Sequence, residues 1–334
     1  MSEVNDVDDV ILNVTVPVYN RFHLTQKTLL ALKKQKRTIP FIVTVVDNGS
    51  EKELQDRLVE FAKNKIIDRL FLLDRNMGVA CAANIGWRSV DSSYFLKLDN
   101  DIVIKDSDFI YKLISLHKYV EPLSTFGPAL FHEWIASSDY IKETPYCKIA
   151  KCSSNLPGGA LLIPRGVCHF LGRFNEDYGL YGAEDGDYGL RMNVANFKQY
   201  YYEHKNFFDH EGKNDRSDYV MNKMREYKNA IQINGNFGYY HLNAFLYNFC
   251  IRSWNVQPRY QEYRIDEFRY EVREREDYAP VKEALERSYR ILNLETLKSS
   301  KTKKEFDKEG IVIKTLKKIW KKCGLECTVE SIVH

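Results

Sequence analysis

Apolar and polar positions in the first hundred residues alternate between two periods. Ile11–Val18 and Phe41–Val46 are apolar, β-branched runs, and Arg69–Leu73 and Tyr94–Leu98 are shorter ones. Between them lie segments of helical spacing. His23–Lys36 carries Leu24, Thr28 and Leu32, and Glu51–Lys65 carries Leu54, Leu58 and Phe61 on one face. Val79–Ser89 is a helix of small residues. Strand and helix alternating at this spacing predict an α/β fold, a mostly parallel sheet flanked by helices. Ligands of such sheets bind beyond the carboxyl ends of the strands. Pro17-Val18-Tyr19-Asn20-Arg21, Asp47-Asn48-Gly49-Ser50 and Asp99-Asn100-Asp101 all stand at strand ends, so they are expected on one rim.

The second half is less regular. Ser107–Val120 reads as a helix, and Phe131–Asn155 as a long loop with Trp134 and Tyr140, of the kind used as a lid or binding loop. Gly158-Gly159 turns into a strand ending at Pro164, Glu184–Asn196 reads as a helix and Gln199–Tyr202 as a strand. From Arg216 to about Leu294 the pattern reads as helical and rich in Tyr, Phe and Arg. This divides the chain into a domain over 1–215, a helical extension over 216–297, and a basic linker and amphipathic tail over 298–334.

Composition narrows the class. The chain has 334 residues, 44% hydrophobic and 28% charged, with a net charge of +3, too small to imply nucleic-acid binding. Acids interleave the arginines of Arg252–Tyr278, which reads as a solvated helical face. The acidic N-terminus lacks the apolar core of a signal peptide, and no run reaches the roughly 18 apolar residues of a membrane span. Seven cysteines without CxxC or zinc spacing read as reduced thiols, and a cytoplasmic location is expected.

The chemistry centres on acids. Asp99 and Asp101 at i, i+2 leave a strand on the same side. Two carboxylates so placed make sense around a divalent cation that bridges them to a diphosphate; the plain alternative is an acidic turn. His210, among acids after two aromatics, could complete such a site and would favour Mn²⁺ over Mg²⁺. Glu184 and Asp185 open a helix whose dipole keeps a carboxylate ready to accept a proton; the alternative is capping alone. Asp187 and Arg191, at i, i+4, read as a helical ion pair. Gly78 and the small residues after it would let a helix start close to a ligand, with Arg75 as a phosphate partner, or simply pack tightly on the sheet.

The order Val16-Pro17-Val18-Tyr19-Asn20-Arg21, Val46-Asp47-Asn48-Gly49-Ser50, Arg75-Asn76-x-Gly78…Asn84-x-Gly86, Asp99-x-Asp101, Gly158-Gly159-Ala160, Glu184-Asp185-x-Asp187…Arg191 and His210 resembles the family 2 glycosyltransferases of GT-A (Rossmann-like) fold, closest to their rhamnosyltransferase-like branch. The likeness covers about residues 10 to 215. It implies that Pro17, Tyr19 and Asp47 line a nucleotide-base pocket, and that Arg21, Arg75, Asn76, Gly78, Asn84, Asp99 and Asn100 belong to the donor site. It implies that Asp99, Asp101 and His210 hold Mn²⁺ or Mg²⁺, and that Asp185, with Glu184 beside it, is the catalytic base. The expected donor is a nucleotide-diphosphate sugar, a UDP-sugar first and a dTDP-sugar next. The expected acceptor is a saccharide or lipid-linked saccharide. A sugar-nucleotide- or glycan-binding protein without chemistry is the alternative. A nucleotidyltransferase would want a glycine-rich basic loop where Pro17–Arg21 stands.

The tail places Val312, Leu316, Ile319, Trp320 and Cys323 on one helical face with lysines opposite. Such a helix either lies on an anionic membrane surface, at the inner face, or packs on the domain.

Overall fold

The computed structural model describes residues 11–327 except 36–37, 215–220, 222–223, 226–231, 234–235 and 293–309. Eleven strands form one sheet. Its spatial order is Tyr260–Arg264, Arg269–Glu274, Arg69–Leu73, Phe41–Asp47, Leu12–Val18, Tyr94–Leu98, Ala160–Pro164, Thr125–Pro128, Gln199–Tyr202, Lys148–Lys151 and Ile141–Glu143. The strands from Arg69–Leu73 to Tyr94–Leu98 run parallel, as the alternation of strand and helix predicts. Ala160–Pro164 enters antiparallel to Tyr94–Leu98, and the sheet is mixed beyond it.

The apolar runs are apolar because both faces of the sheet are covered. Every residue of Leu12–Val18 except Pro17 is buried. Two of its buried residues are polar, and they are satisfied. Asn13 Nδ2 donates to Gly86 O at 2.8 Å, while its Oδ1 accepts from Thr15 Oγ1 at 3.4 Å and from Thr44 Oγ1 of the neighbouring strand at 3.0 Å. Helix Val79–Arg88 lies directly on this strand: a Cβ on Gly86 would sit 2.3 Å from Thr15 Cγ2. Its small residues therefore serve tight helix–sheet packing.

Three expectations change. Phe131–Asn155 is not a bare loop. It holds the short helix His132–Ala136 and the strands Ile141–Glu143 and Lys148–Lys151. Those strands extend the sheet edge by backbone pairing, so three or four residues suffice and little periodicity shows. The Arg/Tyr-rich stretch is not a helical face. Tyr260–Arg264 and Arg269–Glu274 form an antiparallel hairpin, with charges alternating at period two around the buried Val272. Asp266 Oδ1 closes its turn by accepting the N–H groups of Phe268 and Arg269. The hairpin pairs with Arg69–Leu73, so the extension is not purely helical and shares the central sheet. Much of 216–235 lies outside the described residues.

The tail helix Ile311–Lys322 is packed. Leu316, Ile319 and Trp320 are buried against Leu242 and Leu246 of helix Tyr239–Asn248 and Leu285 of helix Ala279–Ile291. Trp320 Nε1 donates to Ser288 Oγ at 3.0 Å. Its apolar face is thus occupied by the protein itself. No helix among the described residues is long and apolar enough to cross a membrane.

Candidate active site

A cleft of about 470 Å³ opens at the carboxyl ends of Leu12–Val18 and Tyr94–Leu98. Pro17, Tyr19, Arg21, Asn76, Asp99, Asn100, Asp101, Glu184, Asp185 and His210 line it, so ten of the expected residues converge there. The rim is conformationally demanding. Asn20, Arg21 and Ala183 have φ of 52°, 55° and 66°, and such strain in residues other than glycine gathers at functional sites.

Glu184 and Asp185 open helix Glu184–Val194 directly after Ala183. Asp185 is held from both sides. Its Oδ2 accepts the Gly158 N–H at 3.0 Å, and its Oδ1 accepts the Gly186 N–H at 2.8 Å. The buried Glu184 Oε2 has no hydrogen-bond partner among the described residues. Burial, reinforced by the Asp185 charge, pushes the Glu184 carboxyl up to about 7, against the pull of Lys97.

Lys97 was not anticipated. It is 2% exposed, and its ammonium donates to Asp99 Oδ1 at 2.8 Å and to Gly158 O at 3.0 Å. Burial works against its charge, but Asp99, Glu184 and Asp185 outweigh it and its pKa is raised. A permanent cation thus stands among three acids. The signal was present as a lone lysine in the apolar run Phe95-Leu96-Lys97-Leu98. Asn48, from the strand-end cluster expected on the rim, also lines the cleft, as does Tyr181, for which no role was anticipated.

Asp101 and His210 are brought together by a two-stranded ribbon. Phe208–His210 pairs antiparallel with Ile102–Ile104, which sets His210 opposite Ile102. His210 Nε2 then lies 3.4 Å from Asp101 Oδ1, while Arg21 is 3.3 Å from Asp101 Oδ2. Gly212 is required at this point, since a Cβ there would sit 1.9 Å from Asp101 Oδ2. Neighbouring donors on an octahedral ion at about 2.1 Å lie about 3 Å apart, so this acid–imidazole pair fits two positions of one cation. His210 Nδ1 is buried without a partner among the described residues. Asp99 lines the same cleft but is turned towards Lys97.

Four expected donor-site residues do not line the cleft. Arg75 is turned away, paired with Asp74 at 2.5 Å and donating to Val272 O at 2.8 Å. Asn84 is buried, donating to Phe174 O and Glu176 Oε1. Gly78, at φ 90°, lets the backbone pass against Gly179 O. Asp47 is buried beneath the rim, where its Oδ2 accepts from Ser50 N and Gln55 Nε2. Burial raises its pKa, and its Oδ1 has no partner among the described residues.

Asp187 and Arg191 form the expected pair, fully buried rather than on a helix surface. Arg191 Nε meets Asp187 Oδ1 at 2.6 Å, with side chains 0% and 1% exposed. Arg191 also donates to Leu171 O, Trp254 O and Arg173 O, and Asp187 Oδ2 accepts from Tyr178 and Asn175. This network anchors the helix that begins with Glu184 and Asp185.

Residues 13–127 match the family model described as "Glycosyl transferase family 2". A chondroitin synthase of Pasteurella multocida (strain Pm70) is 22% identical over 222 residues, covering 54% of this chain and 23% of that protein. A chondroitin synthase of Escherichia coli is 21% identical over 219 residues, covering 54% and 32%. The matched part is less than a third of either relative's length. Among solved structures, the mannosyltransferase PcManGT from Pyrobaculum calidifontis, in complex with GDP-Man and Mn²⁺, superposes with a TM-score of 0.52 at 16% identity, over 73% of this chain and 71% of that one. The common fold is GT-A.

Proposed function

Residues 13–127 of this chain belong to glycosyl transferase family 2, and from that premise we propose that the protein is a metal-dependent, inverting glycosyltransferase. It moves a hexose from a nucleotide-diphosphate sugar, a UDP-sugar first and a dTDP-sugar next, to a saccharide hydroxyl. Its pathway is assembly of a cell-surface polysaccharide or glycolipid. The observation that carries this reading is the meeting of Asp99, Glu184 and Asp185 around Lys97 in one cleft at the strand ends. The chondroitin synthase relatives, themselves sugar-polymer enzymes by name, support it.

Asp185 is the base. Its carboxylate takes the proton of the acceptor hydroxyl, and the oxygen forms a bond to the anomeric carbon. The bond from that carbon to the diphosphate oxygen breaks, with its electron pair leaving on the phosphate. The two N–H donors from Gly158 and Gly186 keep the carboxylate aimed. Glu184, 5% exposed and the more deeply buried of the two, is the second candidate for the base. Asp101 and His210 would hold Mn²⁺ or Mg²⁺, which would supply charge neutralisation at the departing diphosphate, while Asp99 is turned to Lys97 and no cluster of three such ligands forms among the described residues. Arg21 adds a fixed positive charge on the same side. Pro17 and Tyr19 flank the nucleotide, while Asp47, buried beneath the rim, supports the loop through Ser50 and Gln55 rather than meeting the base.

The tail contributes a basic surface. Lys314, Lys317, Lys318, Lys321 and Lys322 are exposed on Ile311–Lys322, opposite its packed face. Attraction to an anionic membrane would run through these charges, not through insertion.

A panel of nucleotide sugars with Mn²⁺ or Mg²⁺ tests the enzyme reading, scored by slow nucleotide release in water alone. Release from one donor, dependent on the added ion, is expected. A panel in which no donor is cleaved and none raises the melting temperature refutes it.

A further inference from the structure

A second cleft, of about 510 Å³, adjoins the first. The two share Pro157, Tyr181, Glu184 and Asp185, so the acids form a common wall. The rest of the second lining comes largely from the segment expected to be a loop, 134–155, and from Tyr201. The chemistry of that lining is distinctive. Trp134 and Tyr201 pack one ring on the other, with centroids 5.3 Å apart and planes tilted by 33°, and Phe131 meets Trp134 edge to face at 4.9 Å. Ser137, Ser153 and Asn155 add hydroxyls and an amide. No Leu, Ile, Val, Met or Phe lines this cleft.

A lipid tail or an apolar cofactor needs aliphatic walls, because small-molecule sites for such ligands are predominantly apolar. This cleft offers flat aromatic faces within a polar frame instead. That combination suits a ligand with a ring face of C–H groups and an edge of hydroxyls. The C–H face lies on the indole, and the hydroxyls exchange water for serine and amide partners. The shared wall also fixes which end of the ligand meets Asp185.

We propose that the second cleft is the acceptor site and holds the end of a saccharide chain, with a sugar ring stacked on Trp134 and a hydroxyl directed at Asp185. The inference rests on the glycosyltransferase reading and adds to it a location, a platform residue and the hydroxyl-rich ring as the recognised chemistry. Segment 134–155 then sets acceptor choice, while the strand-end residues bind the donor.

The test uses the full chain and the donor identified by nucleotide release in water. Hexasaccharides of glucose, of N-acetylglucosamine and of alternating uronic acid and hexosamine are added separately, and the stimulated release is measured. At least one is expected to stimulate release. Trp134→Ala is expected to raise its KM about tenfold or more, with the rise falling on the acceptor rather than the donor. Trp134→Phe is expected to recover most of the affinity. The double variant Ser153→Ala/Asn155→Ala serves the same purpose should Trp134→Ala not fold, and is expected to raise the acceptor KM several-fold. Donor cleavage that no hexasaccharide stimulates, or a folded Trp134→Ala protein (or, where that fails to fold, the double variant) with an acceptor KM within about twofold of wild type, overturns the proposal. Absence of donor cleavage in the wild type instead overturns the glycosyltransferase reading beneath it.

Discussion

Replacing Glu184 by glutamine changes one proton-binding group and almost nothing of its shape. The carboxyl is buried behind Asp185 and is raised from its ordinary 4.5 to about 7. Between these values the folded protein keeps a proton that the unfolded chain has released. Unfolding therefore sheds a proton in this window, and stability falls as pH rises through it. Above about 7 both states are ionised, and the folded state carries the full cost of the buried charge. At about 1.4 kcal/mol per pH unit, the shift corresponds to about 3 kcal/mol. Glutamine does not titrate, so subtracting wild type from Glu184→Gln cancels the groups distant from it and leaves the term from Glu184 together with its interaction with Asp185 and Lys97. The difference should be smallest near pH 4.5 and should favour the variant by about 3 kcal/mol more at pH 8. Denaturant unfolding at both pH values measures it. A difference that stays flat between them, or that moves in favour of wild type, refutes the idea that Glu184 is held neutral by burial and by its neighbour.

Asp185→Asn should lower turnover by about 10² to 10⁴-fold with little change in donor KM, as loss of a general base does; an equal loss of donor affinity in steady-state kinetics would move Asp185 into donor binding. Asp187→Ala leaves the Arg191 guanidinium buried and uncompensated, which should cost about 3–5 kcal/mol in denaturant unfolding; a loss below about 1 kcal/mol would mean that the Leu171, Trp254 and Arg173 carbonyls hold the charge alone. Because the apolar face of the tail helix is packed, sedimentation with anionic vesicles should be abolished by about 1 M salt, where screening reaches about 3 Å; binding that survives would require the helix to leave its partners and insert.

The parts of the fold legible in the sequence are those where burial on both faces writes itself into composition. Leu12–Val18 and Phe41–Asp47 sit mid-sheet, so they read as apolar runs, and the helices between them show one apolar stripe each. Edge elements carry no such mark. Lys148–Lys151 and the hairpin ending at Glu274 are joined to the sheet by backbone hydrogen bonds, which any side chain permits. The hairpin's alternation of charge at Arg269, Glu271 and Arg273 was visible, but in a stretch flanked by helices it was read at the wrong period.

For the site, position along the chain foretold more than residue type. Asp99 and Asp101 stand on the rim because strand ends in a parallel sheet share it, whereas Glu184 and Asp185 reach it from the start of a helix, which the alternation of strand and helix does not foretell. Arg75 shows why residue type alone misleads: it stands beside the rim, yet Asp74 and the Val272 carbonyl satisfy its guanidinium on the hairpin side. The hairpin was not anticipated, so neither was the partner that turns Arg75 away. Lys97 is the converse. A lysine inside a buried strand can persist only if fixed charges surround it, so its presence between Leu96 and Leu98 already implied that several acids converge on that point. Three do, and their competing effects on one another separate the roles of Glu184 and Asp185. Burial and the Asp185 charge raise the Glu184 carboxyl, whose Oε2 has no partner among the described residues, while Asp185 accepts two backbone N–H groups and lines both clefts at once.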